Sequence, residues 1–390
     1  MMTNRVALYS AVDETFTHYV VDVEAATLTP RASIELPARL QYAWPHPSRK
    51  YLYATTSSGG PRVQSDFNRV CTLAIAGDGT LSPHGEARPL PGRAVHMCVD
   101  PGGRHAVNVL NTPTNGMAIH RIEADGSLGR EIEQSGTFDW GIYPHQVMVF
   151  PSGRTVLIVD RGFQPQADRP ERPGALRSFG FDDGVLSPGP VVAPNGGYGF
   201  GPRHVDFHPT RPWLYVSDER TNRLYMFRHA NDRLEPEPAY TRDLLAEPGN
   251  LRPRQLGGPI HVHPSGRFVY VANRADQAIE VDGSRLFGGG ENSIAVFAID
   301  QVTGEPTPIQ HADTHSIHVR TFACDPGGRL LVAGSIRPLA RRDGDRIEQV
   351  PAALSVFRIG DDGRLEFARR YDVATTGSQL HYWMGMVGLP

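Results

Sequence analysis

Charge of neither sign is in excess in this sequence of 390 residues: 39 Lys and Arg stand against 42 Asp and Glu, a formal net charge of −3. Without a one-signed field, nucleic acid and anionic membranes are not expected partners. Cysteine is scarce. Cys71, Cys98 and Cys324 are scattered, show no metal-ligand spacing and cannot all pair within one chain, which fits a reducing compartment. They are expected to act as small apolar filler in strands. No apolar run approaches the roughly 18–20 residues a membrane-spanning helix needs. The opening Met1-Met2-Thr3-Asn4-Arg5-Val6 lacks the apolar core of a signal peptide. These absences predict a soluble, cytoplasmic protein. Also missing are a Gly-x-x-x-x-Gly-Lys phosphate loop, a strand-linked Gly-x-Gly-x-x-Gly and a Gly-x-Ser-x-Gly elbow. Trp-Asp repeats and basic stripes interleaved with aromatics are absent too, which weakens scaffold and RNA-binding readings.

What the sequence does hold is turns. Gly (41) and Pro (33) are abundant, so elements must be short and many. A Pro turn followed by an apolar strand recurs at Pro47, Pro101, Pro151, Pro209, Pro264 and Pro326, at spacings of 54, 50, 58, 55 and 62 residues. A second series of hairpin turns includes Gly77-Asp78-Gly79, Ala124-Asp125-Gly126, Asp182-Asp183-Gly184 and Asp361-Asp362-Gly363. Asp-Gly between apolar runs is a strong hairpin signal, because both central positions tolerate positive φ. This series counts seven units, one more than the Pro turns, and Leu380–Val387 at the C-terminus can supply the missing strand. The segments around Val6–Tyr9, Tyr19–Val23 and Ile34–Leu36 would complete that unit.

The expected fold is therefore all-β: a seven-bladed β-propeller over residues 1–390, with four antiparallel strands per blade and one blade closed by N- and C-terminal strands. Two β-sandwich domains are the alternative, but no linker-like boundary interrupts the repeat.

Strands are lettered A to D from the axis outward, with A just before each Pro turn. The A–B and C–D turns then lie on one face and are short. The other face receives the long connections, Arg161 to Pro173, Tyr240 to Gly258, Arg274 to Glu291 and Ile336 to Pro351, and should carry the ligand. Six residues before each marker Pro stand Gln41, Val95, His145, Arg203, Gly258 and Arg320, expected to ring the channel. Ten residues after it stand Ser57, Asn111, Arg161, Glu219, Arg274 and Ile336. An imidazole, a carboxylate and several guanidiniums thus converge from distant segments. Glu219 or His145 could draw a proton from water, and guanidiniums could hold an anionic group or an oxyanion.

Charges at strand ends are mostly surface ion pairs. His96 and His204, one residue beyond the ring, should face the other side of strand A and bond between blades. His46, His208 and His263 precede turn prolines and read as turn residues, and Gly288-Gly289-Gly290 reads as loop flexibility. A metal site from His96, His145, His261 and His318 is conceivable but has no close ligand pair, so neither metal nor cofactor is expected.

Three stretches carry a resemblance: Pro144-His145-Gln146-Val147; Gly201-Pro202-Arg203-His204 through Glu219; and Ile260-His261-Val262-His263-Pro264 through Asn273-Arg274. They are similar to the seven-bladed lactonase family, which includes the propeller-type 6-phosphogluconolactonases and the fungal carboxy-cis,cis-muconate cyclases. The resemblance runs through essentially the whole chain. It implies that the family's active-site His, Arg, Glu and second Arg fall on His145, Arg203, Glu219 and Arg274. The family's Pro-Arg-x-Phe stands here as Val319-Arg320-Thr321-Phe322, with the Arg kept and the Pro lost. Ala275 to Asn292 is an insertion before Ser293-Ile294-Ala295-Val296-Phe297, expected to cover the mouth and set specificity. Arg320, Arg161, His261 and His318 are the expected substrate-binding residues.

The function these observations imply is hydrolysis of an anionic lactone at the mouth of the channel. A cycloisomerase closing an unsaturated dicarboxylate and a non-catalytic binding propeller are the alternatives. The only expected partner is a small anionic substrate, with the chain a monomer or weak homo-oligomer.

Overall fold

The computed structural model describes residues 5–60 and 63–389. Met1–Asn4, part of the stretch expected to carry no leader, lies outside them. Seven antiparallel sheets succeed one another, and each is one blade. Blade I combines the N-terminal strands Val6–Val12, Thr15–Asp22 and Thr27–Glu35 with the C-terminal strand His381–Gly388, which pairs with Val6–Val12 as the innermost strand. Blades II to VII begin with inner strands Arg39–Pro45, Arg93–Val99, Pro144–Val149, Pro202–Phe207, Leu256–Val262 and Val319–Cys324. Each inner strand contacts the next, and the last contacts that of blade I, so the ring is closed as expected.

Burial follows from stacking blade on blade. Strands covered on both faces are continuously buried and apolar up to their upper ends: Phe268–Arg274 and Leu330–Ser335 are buried throughout. Outer strands such as Leu81–Pro89 are largely exposed. The core consists of the slabs between blades, for example Val107, Val109 and Ile119 of blade III against Val147, Val156 and Ile158 of blade IV.

The short-turn face is braced by residues that read in the sequence only as turn formers. His46, His208 and His263 each donate from Nε2 to the carbonyl of the next blade's turn glycine, Gly103 (2.9 Å), Gly266 (2.9 Å) and Gly328 (2.8 Å). Gly103 has a φ of +68°, and a Cβ there would lie 2.6 Å from Nε2 of His46, so the position requires glycine. Tyr9, Tyr53, Tyr215 and Tyr270 likewise donate their hydroxyls to the outer-turn glycines Gly79, Gly126, Gly304 and Gly363. Inter-blade bonding, expected of His96 and His204, belongs to this set instead.

The long connections depart from simple loops. Tyr240 begins a strand, Tyr240–Asp243, that resumes the outer edge of blade V after Arg233–Leu234, so the connection there is shorter than expected. Two insertions are strand pairs, Ala278–Val281 with Ser284–Phe287 and Leu339–Asp343 with Arg346–Val350. Arg342 and Asp282 join them at 2.8 Å.

Candidate functional site

All seven inner strands carry a register irregularity at the same level, where extra residues oppose one on the second strand. The unpaired residues are Tyr382, Gln41, Val95, His145, Arg203, Gly258 with Pro259, and Arg320. The ring read from the Pro spacing is thus a ring of β-bulges, and a bulge re-aims side chains that a regular strand would alternate. Strict alternation therefore fails for His96 and His204. The His204 ring centroid lies 5.1 Å from that of His145 and 5.7 Å from that of His96, so all three share the channel side.

Above the bulges opens a mouth of about 1170 Å³ on the long-connection face. Its lining has ten arginines, Arg93, Arg161, Arg169, Arg172, Arg220, Arg252, Arg254, Arg274, Arg320 and Arg337, against the two carboxylates of Glu219 and Asp276. Lys50, the sequence's only lysine, is not among them. Below lies a chamber of about 310 Å³ walled by Tyr42, Trp44, Phe322 and Trp383, with Arg203, His204 and His261. Val95, His145, Arg320 and Tyr382 line both spaces and form the partition.

Glu219 is the electrostatic centre. Its carboxylate accepts from Arg161 and Arg274 and lies 3.3 Å from Nε of Arg203. Burial alone would raise its pKa, but the guanidiniums of Arg161, Arg274 and Arg203 hold it well below the usual carboxylate range. The group is a fixed anion that draws three cations together, and so saturated a carboxylate is a poor proton acceptor. His145 contrasts with it. Burial, then Arg203, Arg161, Arg320 and Arg274, push its pKa well below the ordinary imidazole value, so it is neutral near pH 7. Its buried Nδ1 has no partner among the described residues.

The other expected residues divide. Arg274 and Arg161 sit at the mouth, with the Arg161 guanidinium 4.5 Å above the Tyr143 ring. Arg203, 1% exposed, faces the lower chamber rather than the mouth, with Nη1 3.2 Å from Nδ1 of His204. His318 reaches the mouth, where Nδ1 is 3.5 Å from Asp276, and burial outweighs that carboxylate to bring its pKa down to about 4. His261 does not join the mouth; it lies in the lower chamber, 3.6 Å from Asp206 and edge-on to Phe322. The four histidines weighed as metal ligands therefore do not converge, and no group of three or more His, Cys, Asp or Glu among the described residues has metal-holding geometry.

The insertion from Ala275 to Asn292 contributes only Asp276 to the mouth; its Gly288–Gly290 run borders a separate cavity of about 820 Å³. Mouth cover comes instead from the Arg161 to Pro173 connection, which supplies Phe163, Gln164, Arg169 and Arg172. Sequence reading missed Arg93 and Tyr382. Both could have been found by placing the C-terminal strand in the ring, since Tyr382 occupies the bulge of blade I and accepts a 3.0 Å bond from Arg93.

The fold defines a class, that of seven-bladed β-propellers, here with an arginine-lined mouth. The family described as Lactonase, 7-bladed beta-propeller, matches residues 6–337, and the chain belongs to it. Among relatives, the chain is 25% identical over 348 residues to the 6-phosphogluconolactonase of Yersinia enterocolitica, covering 89% of this chain and 88% of that protein. It is 27% identical over 279 residues to the 6-phosphogluconolactonase of Bacillus subtilis, covering 67% of this chain and 70% of that one. The solved periplasmic gluconolactonase PpgL of Pseudomonas aeruginosa shares the fold, with a TM-score of 0.72 and 19% identity over 99% of this chain and all of that one. Among the described residues, no helix is long and apolar enough to cross a membrane.

Proposed function

We propose that this lactonase hydrolyses the ring ester of an anionic sugar-acid lactone, phosphorylated or otherwise charged, held at the mouth of the channel. The observation that carries the reading is the mouth's ten arginines against two carboxylates, gathered around a neutral imidazole. His145 takes a proton from the attacking water. Arg274 and Arg320 stabilise the oxyanion that forms on the carbonyl and grip the substrate's charge. Glu219 positions Arg161, Arg203 and Arg274 rather than acting as base, and Arg203 supports the partition from below. A bound anion offsets the guanidinium charge that depresses the His145 pKa, so the base strengthens when substrate is present. The names of the Yersinia and Bacillus relatives support a sugar-acid lactone. A cytoplasmic location, supported by three unpaired cysteines, and a monomer or weak homo-oligomer belong to the same reading.

The test is turnover of a panel of gluconolactones with and without a phosphate, alongside unsaturated dicarboxylates, followed by acid release and ultraviolet absorbance. Hydrolysis of the charged lactone with a kcat/KM that falls as salt rises is expected. Preference for the neutral lactone at every ionic strength would remove the anionic-substrate reading, cyclisation of the dicarboxylate would make the enzyme a cycloisomerase, and no turnover would leave ligand binding.

A further inference from the structure

Tyr382 occupies in blade I the bulge position that His145, Arg203 and Arg320 occupy in theirs. It lines both the mouth and the lower chamber and is 7% exposed. Its phenol oxygen accepts from Nη2 of Arg320 at 2.8 Å and from Nη2 of Arg93 at 3.0 Å. Arg93, 1% exposed, is itself fixed by Oε1 of Gln41 at 2.6 Å and Oδ1 of Asn111 at 3.2 Å. The Arg320 guanidinium also lies 4.4 Å from the ring centroid. Neither bond uses the phenol's own proton, and among the described residues no acceptor for it is recorded. Two cations are thus fixed on the oxygen while its proton remains available to a group in the partition between mouth and chamber.

Resting on the lactonase reading, we propose that Tyr382 is the proton donor to the leaving ring oxygen, with Arg93 and Arg320 holding the phenolate it becomes. In the step, water oxygen bonds to the carbonyl carbon while His145 takes one water proton. The tetrahedral intermediate then breaks its bond from carbonyl carbon to ring oxygen. That electron pair stays on the ring oxygen, which takes the Tyr382 proton and becomes the product hydroxyl. The new carboxylic acid loses its proton to solvent, and protonated His145 returns a proton to the phenolate through water, restoring both groups. Removing a positioned general acid reduces turnover by roughly 10²–10⁴-fold.

Burial alone would raise the phenol's pKa, but Arg320 and Arg93, with Arg203 from across the channel, bring it down to about 8. Blade II contributes the neutral Gln41 on the far side of Arg93. Burial moves Tyr9, Tyr42, Tyr53, Tyr215 and Tyr270 the other way, so an ionisation near pH 8 is distinguishable from theirs.

The experiment pairs kinetics with an ultraviolet titration of tyrosinate on the full chain. Wild type should show one tyrosine ionising near pH 8, a step absent from Tyr382→Phe and moved up by about one unit in Arg320→Met as a cation is removed. A proton donor must be protonated to act, so wild-type kcat should fall as pH rises through about 8. Tyr382→Phe, which keeps the ring, should lower kcat by about 10²-fold and lose that alkaline limb. An active wild type whose Tyr382→Phe variant keeps both kcat and the limb overturns this proposal while leaving the lactonase reading intact. A wild type inactive on all lactones ends the lactonase reading, and this proton-donor role with it. The titration needs no substrate, and the absence of any step below about pH 9 also overturns the proposal.

Discussion

The two ends of the channel are separated by one ring of bulges and differ in almost everything else. The upper end is wide and lined by arginine; the lower is a quarter of its volume and walled by aromatic rings. The difference follows from the connections. On the lower face three A–B turns are tied to the next blade, His46 to Gly103, His208 to Gly266 and His263 to Gly328, and a longer turn would break the tie. That end is consequently built from strand residues, which packing makes apolar. On the upper face the connections are longer and bring in Arg169, Arg172, Arg252 and Arg337. The ring between them gathers titratable side chains from successive blades, because a bulge releases a side chain from the alternation that packing imposes.

The contrast can be broken most completely by deleting the strand that carries the shared wall. A chain ending at Leu380 loses the inner strand of blade I, exposing the ladder groups of Val6–Val12 and removing Trp383, Met384 and Val387 from the core. Cooperative melting should vanish. An unchanged melting curve would show that the ring closes without its latch.

Next in size is the charge balance of the upper end. Glu219→Gln leaves Arg161, Arg203 and Arg274 without their shared anion, and should destabilise the fold by about 3–5 kcal/mol. Inorganic phosphate should restore part of the loss by taking the carboxylate's place. Unchanged melting combined with lost turnover would return Glu219 to the role of base.

Acidification probes the buried histidines around the channel. Burial lowers the folded-state pKa of His96, His145, His204 and His318, to about 4 for the last, whereas the unfolded value is near 6.5. The unfolded chain therefore binds more protons below pH 6.5, so this stabilisation is full above that pH and is lost as pH falls toward the folded pKa. The loss should be about 1.4 kcal/mol per histidine for each pH unit. Melting temperatures measured from pH 7 to 5 check the sign, and a rise on acidification would contradict it.

Two loop replacements sharpen the comparison further. Substituting a short Gly-containing turn for residues 164–170, which keeps Glu171 as the partner of Arg220, should raise KM about tenfold with little effect on stability, since Arg169 is lost from the mouth. The same operation on residues 277–290 should change KM by less than about twofold, because none of them lines the mouth. Equal effects would mean that both insertions build the site. Smallest of all, Trp44→Leu in the lower chamber should leave kcat/KM within about twofold; a fall matching the mouth variants would make the two chambers one site.

Sequence by itself determined the architecture of this protein, because a repeat written in Pro turns and Asp-Gly hairpins is a local signal, and local turn chemistry needs no distant partner to be recognised. It also placed His145, Glu219, Arg274 and Arg320 near one mouth, since equivalent positions in a cyclic repeat share a level. Only the tertiary structure decided which way neighbours of the ring point. His96 and His204 obeyed the bulge rather than the alternation of a regular strand, and the spacing that marks a bulge is the same as that of a straight strand read alone. It also decided that Glu219 is saturated by three guanidiniums, that the insertion after Arg274 stands beside the mouth, and that Tyr382 is the seventh member of the ring. Each depends on residues tens to hundreds of positions apart meeting in space, as when Arg93 finds Tyr382 across the closure of the ring.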